Sequence, residues 1–173
     1  MIRFKPSPIK LLLIISLLIA VAGLLLPATS LVPVKAAGSK DWNPNTFWYE
    51  PWGASGVHKG VDIFSKKNTD VISPGYGLVL YTGELKLGGK VVISLNSKWR
   101  LHYFAHLNRI NTSPGALIRA GETIGTVGNS GNAAGKQPHL HYSIITLLPY
   151  FWLIDGSTQG WKKMFFLNPL EYF

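Results

Sequence analysis

Between Val61 and Thr146 the apolar residues come in short runs of Val, Ile and Leu, broken every few positions by Gly, Pro or Asn. No stretch there keeps an apolar period of 3.6, so helices are not expected. Short β-branched runs bounded by turn residues predict strands instead. The expected strands are 61–64, 70–73, 77–82, 90–95, 99–105, 123–127 and 140–146, with turns at Ser73-Pro74-Gly75, Leu87-Gly88-Gly89 and Asn96-Ser97-Lys98. A mainly β domain built on an antiparallel sheet follows. Two regions depart from this pattern. Leu11 to Leu26 is apolar except for Ser16 and Gly23 and predicts a helix. Residues 38–56 carry Trp42, Phe47, Trp48, Tyr49 and Trp52 with no period at all. They predict an irregular arm whose aromatics cover the open side of the sheet, or a groove wall, since the arm runs straight into His58. A second aromatic stretch, 147–166, is expected to pack on the sheet. The chain therefore divides into an apolar leader (1–36), an aromatic arm (37–56) and a β domain (57–173).

Charge changes the reading of the leader. Arg3, Lys5 and Lys10 precede the apolar run with no acid among them, the order of a secretory signal or an uncleaved anchor. Sixteen residues are short for a span of about 20, but residues 27–34 carry no charge and could extend it. Val34-Lys35-Ala36 and Leu26-Pro27-Ala28 are both tolerable cleavage sites, so cleaved signal and anchor through 11–34 remain open. Either way the basic flank places the remainder outside the cytoplasm, in the periplasm or at the cell surface. The net charge of +9 falls to +5, 13 basic residues against 8 acidic, once Arg3, Lys5, Lys10 and Lys35 are set aside. That surface suits an anionic polymer or plain solubility. The basic residues form no stripe or reader motif, so nucleic acid is not an expected partner.

The chain has no cysteine. Disulfides, thiolate metal sites and cysteine nucleophiles are excluded, and a transition metal would have to be held by His and carboxylate. In Gln137-Pro138-His139-Leu140-His141-Tyr142, followed by Ile144 and Ile145, an extended chain puts His139 and His141 on one face. His58-Lys59-Gly60-Val61-Asp62 reads as a loop entering a strand, where positions four apart again share a face. His58, Asp62 and His141 together make a three-ligand set for tetrahedral Zn²⁺ with a fourth position open to water, whose pKa then falls to about 7.

These blocks carry a family resemblance. His58-x-Gly60-x-Asp62, Tyr103-Phe104-Ala105-His106-Leu107, Gly121-x-x-Ile124-Gly125-x-Val127-Gly128 and Pro138-His139-Leu140-His141 together resemble the lysostaphin/LytM-type zinc metallopeptidases, glycyl-glycine endopeptidases that cut peptides of bacterial peptidoglycan. The run 114–125 is similar to hairpins of barrel-sandwich domains, and Asn168-Pro169-Leu170 to the family's usual ending. The resemblance implies a lysostaphin-type β domain, zinc held by His58, Asp62 and His141, and peptidoglycan peptides as substrate. It also implies that His139 is the general base, with His106 steadying the oxyanion or shuttling a proton; the residues themselves do not say which of the two is the base. The alternative is a non-enzymatic wall-binding module or activator of another wall hydrolase. His102 has no place in the motif and is expected as a surface or supporting polar residue. Ser143 stands where the family often has an acid, Gly135-Lys136-Gln137 replaces the usual glycine before the proline, and 147–166 is longer than a minimal domain needs.

Overall fold

The strands form one antiparallel sheet, whose central path carries β1 (Val61–Phe64), β3 (Gly77–Leu85), β4 (Gly89–Asn96), β5 (Arg100–Ile110), β6 (Leu117–Ile118) and β8 (His139–Thr146). The spatial order is β1-β8-β5-β4-β3-β6, with β2 (Asp70–Ile72) paired to β7 (Thr123–Val127), β7 to β5, and β9 (Phe166–Leu167) to β8. The computed structural model describes residues 7–28 and 31–173; Arg3 and Lys5 of the basic start, and residues 29 and 30 of the uncharged stretch after the apolar run, lie outside them. All seven expected strands form. β3 runs on to Leu85 and β5 to Ile110, past the ends their apolar runs mark, because each keeps a ladder partner there: Leu85 opposite Gly89, and Ile110 opposite Gly125. The short β6 and β9 are formed by pairing with longer neighbours.

The core lies where β1, β8, β5 and β7 turn Val61, Ile63, Phe104, Leu107, Ile124, Leu140 and Tyr142 inward, each at most 1% exposed. Leu31 is tied to the sheet by its amide, which donates to the Pro74 carbonyl. Val34 is 1% exposed and bridges Val71, and the Ile72 amide donates to the Pro33 carbonyl. The stretch just before residue 36 is thus part of the core. Ahead of it, α1 (Pro8–Leu25) starts at Ser7, whose hydroxyl accepts from the Lys10 amide. It has a mean hydropathy of 2.5 and no buried residue, so it is long and apolar enough to cross a membrane.

Two corner features place the site. Gly60 passes so close to β8 that a Cβ would run into the Tyr142 carbonyl and the Ser143 hydroxyl, which is why the residue between His58 and Asp62 has no side chain. In β5 the ladder slips between Phe104 and Leu107, and His106 sits there at φ 63°. A non-glycine residue in this left-handed region is uncommon, and a bulge of this kind re-aims the side chain it carries.

Candidate metal centre

β1 and β8 pair with Asp62 opposite His141, and β5 sets Ala105 opposite His141 from the other side. Strand register alone therefore brings Asp62 beside His141. His58 reaches the same point from the loop before β1, its backbone held on both sides by the arm: the Trp48 amide donates to the His58 carbonyl, and the His58 amide to the Tyr49 carbonyl. His58 Nε2 lies 3.2 Å from Asp62 Oδ1 and 3.0 Å from His141 Nδ1, and His141 Nδ1 lies 2.9 Å from Asp62 Oδ1. Donor atoms about 2.0–2.1 Å from a tetrahedral zinc stand about 3.3 Å apart. The observed triangle is close to that size.

The tautomers strengthen the case for a cation. A backbone carbonyl can only accept, so His58 Nδ1, 3.0 Å from the Thr46 carbonyl oxygen, carries the ring proton. Its Nε2 then presents a lone pair to the Asp62 carboxylate. His141 Nε2 is 3.0 Å from the Ser143 hydroxyl, which can accept its proton and leave a lone pair on Nδ1 as well. Three electron-rich atoms this close repel unless a proton or a cation lies among them. Burial on its own would raise the Asp62 pKa, but a proton shared with the His141 and His58 nitrogens that face it outweighs burial and holds the carboxyl well below its ordinary range. Burial pushes the His141 pKa down. Anionic carboxylate and neutral imidazole are the forms that bind metal.

His106 and His139 sit beside this triangle with their proton-bearing nitrogens turned away. His106 Nδ1 donates to the Ser130 carbonyl (2.9 Å) and His139 Nδ1 to the Gln137 carbonyl (2.8 Å). Both Nε2 atoms are left as lone-pair acceptors, that of His139 lying 3.9 Å from Asp62 Oδ2. The two rings meet edge to face at 5.0 Å. Burial, reinforced by His139 and His141, lowers the His106 pKa to about 4. Plain strand alternation would put His106 on the face of His102 and Phe104. The bulge turns it instead into the groove with Tyr103 and Ala105.

His102 is the residue for which the sequence misleads. It is neither on the surface nor in support of the site. It is 8% exposed, on the core side, with Nδ1 2.6 Å from the Tyr142 hydroxyl, and burial drives its pKa to about 3. It does not share a face with His106, because of the bulge.

The groove above the triangle encloses about 440 Å³. One wall is 51–55 of the arm, where Trp52 stacks on His58 with ring centroids 4.0 Å apart. The opposite rim is Leu87 and Gly88, with Asn132, Ala133 and Lys136 closing one end. The arm thus plays both expected parts. Trp42 and Trp48 pack inward against Phe173 and Phe166, while its last residues line the groove. Three contributors are given no role by the motifs. Thr46 fixes the His58 tautomer, Trp52 covers that ring, and Tyr103 presents to the groove a hydroxyl whose pKa burial raises. Ser143 was visible only as a departure from the family pattern; it occupies the place from which His141 is oriented.

The chain is similar to known proteins in sequence and in fold. Residues 56–149 match the family model described as Peptidase family M23. The chain is 35% identical over 113 residues to the L-Ala--D-Glu endopeptidase of Bacillus subtilis, covering 60% of this chain and 35% of that protein. It is 33% identical over 89 residues to lysostaphin of Staphylococcus simulans, covering 50% and 18%. The chain spans about a third or less of the length of these two relatives. Among solved structures, a zinc-containing peptidase from Vibrio cholerae superposes with a TM-score of 0.56 at 26% identity, covering 68% of this chain and 36% of that one. The catalytic domain of lysostaphin superposes with a TM-score of 0.57 at 23% identity, covering 70% and 84%. The matched segment contains His58, Asp62, His106, His139 and His141, and the chain belongs to peptidase family M23.

Proposed function

We propose that the protein is a zinc metalloendopeptidase acting outside the cytoplasmic membrane on peptide bonds of bacterial peptidoglycan. The observation that carries this reading is the convergence of His58 Nε2, Asp62 Oδ1 and His141 Nδ1 on one point. The relatives add the substrate class: those named above include an L-Ala--D-Glu endopeptidase, and others are named peptidoglycan DD-endopeptidases. In a non-enzymatic wall module nothing would require three donor atoms to meet at the floor of an open groove.

His58, Asp62 and His141 would hold the metal. When bound, zinc supplies Lewis acidity for a carbonyl and brings the pKa of water near 7. His139 accepts a proton from the attacking water at Nε2, since its Nδ1 proton is committed to Gln137. His106, neutral at pH 7 and with its own Nδ1 proton committed to Ser130, is likewise an acceptor, and serves as the second station for that proton on its way to the leaving amine. In this state its Nε2 has no hydrogen to offer an oxyanion. The Tyr103 hydroxyl, kept protonated by burial, is a donor in the groove for that charge. Trp52 and the arm exclude water from one side of His58.

The N-terminal helix acts as a retained anchor, or as a signal cut upstream of the core. Cleavage after Ala36 would remove Val34 from its bridge with Val71, which favours a cut near Ala28 or none. The reading is tested by incubating the full-length protein with isolated cell wall and identifying the released peptides. Release that stops with a chelator, returns with zinc and is absent in His141→Ala supports the proposal. Undiminished release from His141→Ala would transfer it to another mechanism.

A further inference from the structure

The strand register sorts the sheet into two ends of opposite character. At one end lie Asp62, His141 and Ala105, paired in a row. At the other, Thr146, Arg100, Asn96, Gly77 and Ile118 form the last row, also paired in sequence. Several residues that project from this second end are apolar and exposed, beside the basic Lys98 and Arg119. Tyr76 precedes Gly77 and is 66% exposed; Leu117, opposite Leu78, is 80% exposed. Beyond Thr146 come Leu147 (51%), Phe151 (64%) and Trp152 (75%), with the Leu147 amide donating to the Trp99 carbonyl across the β4–β5 turn. Isolated apolar residues on a surface need no explanation, but a row of them along one end of a sheet does.

The chain itself says what faces this end. After α1 ends at Leu25, only residues 26–30 precede Leu31, whose amide donates to the Pro74 carbonyl in the turn leading to Tyr76 and β3. That stretch spans at most about 20 Å. The tether therefore enters the domain at the apolar end and not at the groove. α1 also touches that end directly. The Trp99 indole N–H donates to the Ala20 carbonyl (2.9 Å), and Gly23 gives the Trp99 ring room, since a Cβ there would run into it. Lys98 at the same turn bonds the Leu24 carbonyl. A tryptophan and a lysine at the outer end of an apolar helix are the residues that settle at a lipid–water boundary.

Building on the anchor reading of α1, we propose that the apolar end of the sheet rests in the lipid headgroup layer. Leu117, Phe151 and Trp152 are its contacts, and Trp99 marks the boundary. The domain then stands on the membrane with its strands rising away from it. From Leu147 to His141 along β8 is six residues, so the metal centre is held about 20 Å above that contact, at roughly 3.3 Å per residue. Substrate reaches the groove as strands lying parallel to the membrane at that height, and wall farther out is beyond reach.

The absence of cysteine allows a direct test. Full-length chains carrying Ile19→Cys, Leu117→Cys, Trp152→Cys or Leu87→Cys are labelled with a small fluorophore. They are inserted into vesicles of phosphatidylethanolamine and phosphatidylglycerol containing a shallow nitroxide lipid. Leu87 is 48% exposed beside the β3–β4 hairpin, at the groove end. Labels at 117 and 152 should be quenched to at least about half the extent of the label at 19, and the label at 87 should not be. Quenching at 19 with none at 117 and 152 would overturn the proposal and leave the anchor standing. If those two labels are then also shielded from aqueous iodide, a protein partner covers that end instead. No quenching at 19 would refute the anchor reading, and this proposal with it.

Discussion

His141 and His102 lie on neighbouring strands of one sheet, both closely packed, and burial lowers the pKa of each. They face opposite ways. His102 points into the core, where the Tyr142 hydroxyl at 2.6 Å supplies its polar partner among apolar side chains. His141 points into the groove, where its Nδ1 meets another imidazole and a carboxylate that all present acceptor atoms. Burial is common to both and separates nothing. The closed hydrogen bond of one, against the cluster of acceptor atoms around the other, marks which histidine could hold a cation.

The sharpest way to break this contrast is to remove one histidine from each side. His58→Ala should bring peptide release from cell wall down to background, whereas His102→Phe should leave release within about twofold of wild type, because it lies outside the groove. Equal losses in the two variants would erase the distinction. A smaller effect is expected where the residue touches the proton and not the metal. His139→Ala and His106→Ala should each cut kcat by about 10²-fold or more with zinc retained, as titrated by a chelator dye. Ser143→Ala tests how His141 is aimed. Losing its Nε2 partner should weaken zinc binding by about 10–100-fold, measured by competition with a chelator of known affinity.

The smallest effect separates the two histidines by pH. His102 titrates near 6.5 when unfolded and at about 3 when folded. The unfolded chain therefore binds the extra proton between those values, and stability falls as pH drops through that window. Above about pH 6.5 the stabilisation is whole; by about pH 3 a penalty on the order of a few kcal/mol has accrued. His102→Phe should flatten that slope in denaturant titrations at pH 7, 5 and 4. It should also cost about 1–3 kcal/mol at pH 7, since the Tyr142 hydroxyl loses its partner. An unchanged slope would mean that His102 is not the proton-linked group.

Much of this was legible along the chain. The strands could be read because runs such as Val91-Val92-Ile93, set between the turns at Gly88-Gly89 and Asn96-Ser97, admit few other conformations, and His139 and His141 because a period of two fixes their common face. The motif spacing even preserves a steric fact, the glycine at 60 that lets β1 close on β8. What could not be read depends on deviations from period. His106 reaches the groove only through a bulge at φ 63°, and His102 is separated from it by the same slip. Thr46 and Trp52 serve His58 from an arm with no repeating pattern, so no spacing rule points to them. The contrast between the two ends of the sheet is a property of register, and appears only once partners are assigned.

Metal binding by the intact protein bears on all of this most directly. The full-length chain, freed of metal and titrated with zinc, should take up one ion per chain, and X-ray absorption should show only nitrogen and oxygen donors at about 2.0–2.1 Å. Asp62→Ala and His141→Ala should each lose that ion, while His102→Phe keeps it. A wild-type chain that binds no zinc, or an Asp62→Ala variant that binds it as tightly, would contradict the convergence of His58, Asp62 and His141 on a single cation.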